Sequence, residues 1–264
     1  MTILPSVSSP LPTVNKWARP LTAADPFRWL AQGWRDFVTD APLSLAYGAI
    51  ILAISLGLVT GLVALKRDYI LFPVLAGFMV IGPIMAVGLY EKSRRIEEGK
   101  RLHWQNLLFV RPRSGGQILF TGVLLCLLMI VWIRAAVLIY ALFFGMVAFP
   151  GLDRIAPMLF TTPTGWAMLV VGTLVGGLFA AFSFAISAFS IPMLLDERTD
   201  ALTAMGSSMA RVWNNLRVLL IWAAIVLALF MAGLATGMLG LVVIYPLLGH
   251  ATWHAWRAVQ SETT

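Results

Sequence analysis

Two histidines near the C-terminus have the spacing of a metal-binding pair. His250 and His254 are one helical turn apart, which can present two imidazoles to one metal ion. Two opposite axial ligands of a haem would need two helices, and the third histidine, His103, is distant in the sequence. The alternative is an interfacial aromatic belt with Trp253 and Trp256. The pair is a candidate metal or haem site, although we expect no cofactor.

Arg134 is the one charged residue within the apolar run 118–149. A cation at membrane depth costs several kcal/mol unless it finds water or a partner. One interpretation is a polar cavity at Arg134 that binds an anion or a lipid headgroup. The other is that the side chain extends outward along the bilayer or pairs with Asp68 or Asp153. Arg134 is therefore a candidate intramembrane polar site.

Acidic side chains gather where apolar runs meet basic loops, at Glu91, Asp196, Glu197 and Asp200. We expect solvated ion pairs with Arg94, Arg95 and Arg198, each contributing little to stability. General acid–base catalysis would need paired carboxylates in a shielded cleft. The sequence also has no P-loop, dinucleotide fingerprint or GxSxG elbow, so we predict that the protein is not an enzyme.

The segments that carry these residues are typical of membrane spans. Of 264 residues, 59% are hydrophobic and 12% are charged, whereas about a quarter are charged in soluble domains. Several apolar runs exceed the roughly 20 residues that cross a bilayer. The sequence predicts an all-α membrane protein with six transmembrane helices, near residues 43–65, 70–90, 118–143, 166–195, 218–236 and 238–257.

The distribution of Lys and Arg predicts the orientation of these spans. Fifteen of the 19 lie in the segments on one side, three lie on the other side, and Arg134 lies within a span. The positive-inside rule places the richer side, with both termini, in the cytoplasm of a bacterial inner membrane. The first twenty residues lack the apolar core of a signal peptide. The net charge of +7 follows from the loops, so we expect no nucleic-acid partner.

Three similar units follow one another along the chain. Apolar residues at helical spacing precede the first, third and fifth spans, which predicts cytoplasmic interfacial amphipathic helices. The even-numbered spans each contain a proline near their cytoplasmic end, at Pro83, Pro192 and Pro246. We therefore predict three helical hairpins in a pseudo-threefold repeat, with chance similarity among Leu-rich helices as the alternative. Glycines at GxxxG spacing, such as Gly57 and Gly61 or Gly172 and Gly176, indicate close helix packing.

This organisation divides the chain into five segments. They are a flexible N-terminal segment (1–26), an interfacial helix with the first hairpin (27–90), a basic loop and helix with the second hairpin (91–195), an interfacial helix with the third hairpin (196–257), and a short tail (258–264).

Basic and aromatic side chains on the same face predict contact with anionic lipids. The alternative is that the Lys and Arg residues only retain these loops in the cytoplasm, which would explain their presence without lipid contact. The predicted lipid-contacting residues are Trp34, Arg35, Arg94, Arg95, Lys100, Arg101, Trp104, Arg111, Arg113 and Trp213.

Several stretches of the chain resemble a bacterial family of predicted integral membrane proteins, domain of unknown function 2189. They are FPVLAGFMVIGPIMAVGLYEKSRRIEEG, TTPTGWAMLVVGT, IPMLLDERTDALTAM and the terminal PLLGHATWHAWR. The resemblance covers residues from about 29 to 257 and implies an integral membrane protein without an assigned activity.

Three functions are compatible with these features. The first is transport or binding of a small solute or lipid, with Arg134 and the proline-broken spans as working parts, because broken helices expose backbone carbonyls. The second is an interaction protein that helps other membrane complexes to assemble. The third and weaker one is a haem- or metal-binding oxidase-like subunit that uses His250 and His254.

Overall fold

The computed structural model describes residues 15–145 and 149–260, and all the regular structure in these stretches is helical. The helices are α1 (Asp25–Val38), α2 (Ala41–Ala64), α3 (Leu71–Met85), α4 (Val87–Glu97), α5 (Trp104–Leu108), α6 (Gly115–Phe144), α7 (Leu152–Thr161), α8 (Pro163–Ser187), α9 (Ser190–Asp196), α10 (Ala201–Asn214), α11 (Leu216–Ala235) and α12 (Leu241–Val259).

Five helical stretches in the described residues are long and apolar enough to cross a bilayer. They are Ala41–Ala64, Asp68–Glu97, Gly115–Phe144, Pro163–Asp196 and Leu216–Ala235. The prediction of an all-α membrane protein with several spans is thereby confirmed. The sixth predicted span corresponds to α12, which is less apolar than these five because it carries His250, His254 and Arg257. The count of six spans therefore stays a prediction.

Helix α12 lies at the centre of one group of helices and packs against α1, α2, α4 and α11. Small residues make this close packing feasible. A Cβ added to Gly48 of α2 would lie 2.1 Å from the carbonyl oxygen of Val242, and one added to Gly33 of α1 would lie 2.6 Å from the backbone nitrogen of Ala251. The side chains of Trp253 and Trp256 on α12 are almost completely buried.

A second group of helices is formed by α3, α6 and α8. Helix α3 packs mainly against α6, and α6 packs against α8. The consecutive helices α2 and α3 thus have different principal neighbours, because the packing surface of α2 faces α12. The first predicted hairpin is a pair in sequence but not a closely packed pair. The hairpins and the threefold repeat therefore also stay predictions.

The helix that contains Pro83 is interrupted at Ala86, where α3 ends and α4 begins. Proline lacks a backbone N–H and disturbs the preceding turn. Two tyrosine hydroxyls donate to carbonyl oxygens at this break, Tyr47 to Met85 at 2.6 Å and Tyr245 to Gly82 at 2.8 Å. The exposed carbonyls of the break are thus partly satisfied from α2 and α12.

A similar interruption separates α8 from α9, just before Pro192. The hydroxyl of Ser208 accepts a hydrogen bond from the backbone nitrogen of Phe189 and donates one to the carbonyl oxygen of Ala185. The third proline, Pro246, lies within the continuous helix α12. Only two of the three predicted proline breaks therefore separate the helix into two parts.

Helices occur at all three positions where amphipathic helices were predicted. Helices α1 and α10 have 14 residues each, whereas α5 has five. The short α5 presents Leu107 to the core and leaves Leu108 half exposed.

Residues 15–21 lie against the junction of α10 and α11, although they belong to the segment predicted to be flexible. The side chain of Asn215 bonds the backbone of Trp17 and of Arg19. The Arg211 guanidinium lies between the rings of Trp17 and Trp256, at 5.1 and 5.0 Å from their centroids. Burial lowers the pKa of Arg211, although the Glu197 carboxylate opposes the change.

Candidate functional site

A buried polar cluster connects α2, α4 and α12. Lys92 is fully buried, and its Nζ donates to the backbone oxygen of Asp40 at 3.0 Å and to the hydroxyl of Ser44 at 2.7 Å. The carboxylates of Asp36 and Asp40 are near enough to interact with this charge. Because a buried ammonium must be paired and hydrogen-bonded, this arrangement explains how the fold accommodates Lys92.

His250 occupies the other side of the same cluster. Its Nε2 lies 3.0 Å from Ser44 Oγ, and its Nδ1 lies 2.9 Å from Ser93 Oγ. Ser44 accepts from Lys92, so its own proton can be donated to Nε2, and Nδ1–H donates to Ser93 in that tautomer. Both ring nitrogens are used by hydroxyls, which favours a structural role for the imidazole.

The second histidine of the predicted metal pair is bound elsewhere. His254 Nε2 lies 2.8 Å from the Asp36 carboxylate on α1. The described residues contain no group of three or more His, Cys, Asp and Glu side chains suited to a metal ion. The geometry therefore gives the metal or haem hypothesis for His250 and His254 no support.

Glu91 forms the expected ion pairs, but these are buried and not solvated. Its side chain is 2% exposed, with Oε1 at 2.6 Å from Arg95 Nε and Oε2 at 2.5 Å from Arg94 Nη2. Arg94 also donates to the backbone oxygen of Leu195 at 3.0 Å. The expectation of solvated pairs is wrong for Glu91, because α9 covers this part of α4.

An apolar cavity of about 430 Å³ lies beside the break at Pro83 and is called the proline cavity below. Its walls come mainly from α3, α8, α11 and α12, and none of the described residues that line it carries a charge. Ligand pockets typically have about 300–1,000 Å³. The proline cavity therefore has the size and lining of a site for an apolar molecule.

One hydroxyl in the wall of the proline cavity lacks a partner. Ser183 of α8 is 4% exposed, and its Oγ makes no hydrogen bond within the part of the chain that the structure describes. A buried polar atom without a partner is costly and calls for an explanation. A ligand that carries one hydrogen-bonding group would satisfy it.

A second cavity of about 610 Å³ lies among α3, α6, α7 and α8 and is called the aromatic cavity. Its wall includes Tyr69, Phe72, Trp132, Tyr140, Phe149 and Phe160. The buried hydroxyl of Tyr140 also lacks a partner among the described residues. The two cavities thus have a similar lining. Each has a largely apolar wall that contains one hydroxyl without a hydrogen-bond partner among the described residues.

Trp132 of α6 lines both cavities, as does Thr173 of α8. The indole Nε1 donates to the backbone oxygen of Pro73 on α3 at 3.0 Å. On α8, the ring packs against Gly176, where an added Cβ would lie 2.9 Å from it. The tryptophan is therefore held between α3 and α8.

The predicted polar site at Arg134 does not coincide with either cavity. Arg134 is exposed on the outside of α6 and does not line the cavities. Arg134 forms no ion pair with another described residue. The side chain of Asp153, one of its two predicted partners, is not among the described side chains. This position favours the alternative in which Arg134 extends along the lipid-facing surface.

Most of the predicted lipid-contacting side chains are accessible. Trp34 is 48% exposed and Trp213 is 75% exposed. The other exposed members of the set are Arg35, Lys100, Arg101, Arg111 and Arg113, whereas Trp104, Arg94 and Arg95 are partly buried. Lipid contact itself stays a prediction.

Apart from Pro83, which lines the proline cavity, sequence reasoning did not single out as functional the residues that line the cavities. The serines of α8 gave a usable signal, because Ser183 and Ser187 are polar residues one helical turn apart within an apolar run. Trp132 gave no such signal, since tryptophan is common in membrane spans.

Comparison with known proteins bears on the segment that carries both cavities. Residues 71–196 match the model of a family described as predicted integral membrane protein, domain of unknown function 2189 (DUF2189). The match extends from α3 to α9 and confirms the predicted resemblance for this segment, whereas the predicted extension of the resemblance to residues 29–70 and 197–257 stays a prediction. It includes almost the whole lining of the aromatic cavity and more than half of that of the proline cavity. Neither the curated proteins nor the solved structures contain a significant match.

Proposed function

We propose that this integral membrane protein binds a neutral amphiphile in the proline cavity and has no enzymatic activity. The ligand has a long apolar chain and one small uncharged hydrogen-bonding group, such as a hydroxyl or a carbonyl. The observation that carries the proposal is the unpartnered hydroxyl of Ser183 in an apolar wall.

The lining of the cavity supports a neutral ligand. A charged headgroup without a partner would be costly at this depth, and the described lining contains no cation for a phosphate or a carboxylate. It also contains no carboxylate or imidazole that would act as a general acid or base. These features favour binding over catalysis.

The packing of the helices supports access from the bilayer. Helices α8 and α11 both line the cavity, yet they are not among the closely packed helix pairs. A ligand that is dissolved in the bilayer would enter between them without crossing water.

The proposed topology has six spans, with α12 as the sixth and both termini in the cytoplasm of a bacterial inner membrane. The distribution of Lys and Arg supports this orientation. The 19 residues of α12 nearly suffice to cross the hydrocarbon core, and burial among α1, α2 and α4 explains why this span tolerates polar residues. Three units of one interfacial helix and two spans complete the proposal.

Gly177→Leu tests the proposed ligand site. Gly177 lines the proline cavity, and a Cβ added there meets no atom within 4 Å, so leucine is accommodated without a clash and narrows the cavity at this wall. The protein is reconstituted in liposomes with a long-chain alcohol that carries a diazirine, and photolabelled peptides are identified by mass spectrometry. We expect labelling near Phe230 and Tyr245 to fall about tenfold, a loss of about 1.4 kcal/mol in binding.

Gly57→Leu is the matched control. Gly57 lies in the span helix α2, also has free space around its Cβ, and does not line the cavity. This variant should label like the wild type. Equal labelling of the two variants, or no labelling of the wild type, would refute the proposed site.

A further inference from the structure

The aromatic cavity has the same chemistry as the proline cavity. Its described lining is uncharged, and the hydroxyl of Tyr140 is buried there without a partner. A molecule that satisfies Ser183 in one cavity can satisfy Tyr140 in the other, because both sites offer one hydroxyl in apolar surroundings. The two cavities therefore suit the same class of ligand.

The two cavities follow one another along α8. Gly172 lines the aromatic cavity, Gly177 lines the proline cavity, and Gly176 between them contacts the ring of Trp132. Thr173 borders both spaces. The boundary between the cavities thus includes Trp132 and Thr173.

We infer that the aromatic cavity is a second site for the neutral amphiphile, and that Trp132 is a movable partition through which the ligand passes between the cavities. This inference rests on the proposed function. The proposed function has one binding site, and the inference adds a second site and a path between the two sites along α8.

The contacts of Trp132 explain how the partition opens. Trp132 is held by one hydrogen bond to Pro73, by packing against Gly176 and by a tilted contact with the Phe179 ring at 5.7 Å between centroids. An indole that packs against a glycine on one side changes rotamer more readily than one enclosed by large side chains on both sides. The two cavities that Trp132 lines leave room for the ligand beside the indole. Passage then requires rotation of Trp132 and adjustment of the Phe179 ring that contacts it, without movement of the spans.

Gly172→Leu tests the path. The variant fills the aromatic cavity without a clash, because an added Cβ there meets nothing within 4 Å. The diazirine alcohol is added to proteoliposomes, and labelling is followed over time at peptides of each cavity. We expect labelling near Tyr140 and Phe160 to fall about tenfold. Labelling near Phe230 and Tyr245 should become several-fold slower, because the route through the aromatic cavity is closed and only direct entry between α8 and α11 remains.

Gly176→Ala tests the partition itself, since the added Cβ would press on the Trp132 ring at 2.9 Å. We expect the rate of labelling in the proline cavity to change while labelling of the aromatic cavity persists. Trp132→Phe, which keeps an aromatic ring and loses the bond to Pro73, should accelerate exchange. Gly61→Leu on α2, where space is also free, should leave both rates unchanged.

The outcomes separate this inference from the proposed function. If Gly172→Leu leaves the rate at the proline cavity unchanged, the cavities fill independently and the path is refuted. If wild-type labelling is confined to the proline cavity, the second site is refuted and the proposed function stands. If the aromatic cavity alone is labelled, the proposed function fails. Equal labelling by a carboxylic acid of the same chain length would contradict the neutral ligand class.

Discussion

Lys92 is a charged side chain that the sequence associates with a basic loop and the fold places in its core. Its Nζ is bound by Ser44 and by the carbonyl of Asp40, and Ser44 in turn contacts His250. Removal of one member of such a network leaves the others unsatisfied, which costs more than the average hydrogen bond. The cluster is therefore best understood as a polar connection between α2, α4 and α12.

We expect Lys92→Met to destabilise the protein by about 1.5–3 kcal/mol, because hydrogen bonds from a charged donor to two buried acceptors are lost. Thermal unfolding in detergent, followed by circular dichroism, measures the change as a lower Tm. Lys100→Met is the control, since the side chain of Lys100 is 59% exposed. Equal Tm values for the two variants would show that the Lys92 network does not stabilise the fold.

At the level of helices, the sequence predicts where each helix lies along the chain better than it predicts which helices pack against one another. The spans, the helices α1 and α10 and the break at Pro83 lie close to their predicted places, because apolar runs and prolines are local signals. The pairing of α2 with α12 is different, because it depends on Gly48 and Val242, which are far apart in sequence. The cavities were unpredictable for the same reason, since their walls combine residues from several helices.

Gly48→Ala should separate α2 from α12. The added Cβ would lie 2.1 Å from the Val242 carbonyl oxygen, which belongs to the backbone and cannot rotate away. Overpacking of this kind costs roughly 1–3 kcal/mol, so we expect a lower Tm in detergent. Gly57→Ala on the same helix, where space is free, should change Tm much less. A Tm for Gly48→Ala that equals that of Gly57→Ala would contradict the observed packing.

Across the whole molecule, tight packing and positive charge occur at the same end. Buried residues are dense in α4, α9, α10 and the second half of α12, whereas α6 and α8 are largely exposed along their length. In a bilayer, exposed apolar helices contact lipid, so low burial there is compatible with stability. Both cavities are lined in part by the loosely packed α6 and α8, and we propose that a ligand from the bilayer enters there.

The topology proposed from charge can be tested with introduced cysteines. The single native cysteine, Cys126, is first replaced by alanine, and Lys100→Cys, Leu239→Cys and Thr263→Cys are then made separately. In spheroplasts, a membrane-impermeant maleimide should label only the Leu239→Cys variant, because Leu239 is 65% exposed in the turn between α11 and α12. Permeabilised cells, in which all three variants should react, provide the control.

Each alternative topology gives a different labelling pattern. Labelling of Leu239→Cys together with Thr263→Cys would mean that α12 does not cross, and the chain would have five spans. Labelling of the Lys100→Cys and Thr263→Cys variants, without labelling of the Leu239→Cys variant, would show that the orientation in the membrane is the opposite of the proposed one. The expected pattern follows because 15 cations lie on one side and three on the other, and translocation of the richer side would oppose the positive-inside rule. The buried polar residues of α12 do not oppose its crossing, since α1, α2 and α4 shield them from lipid.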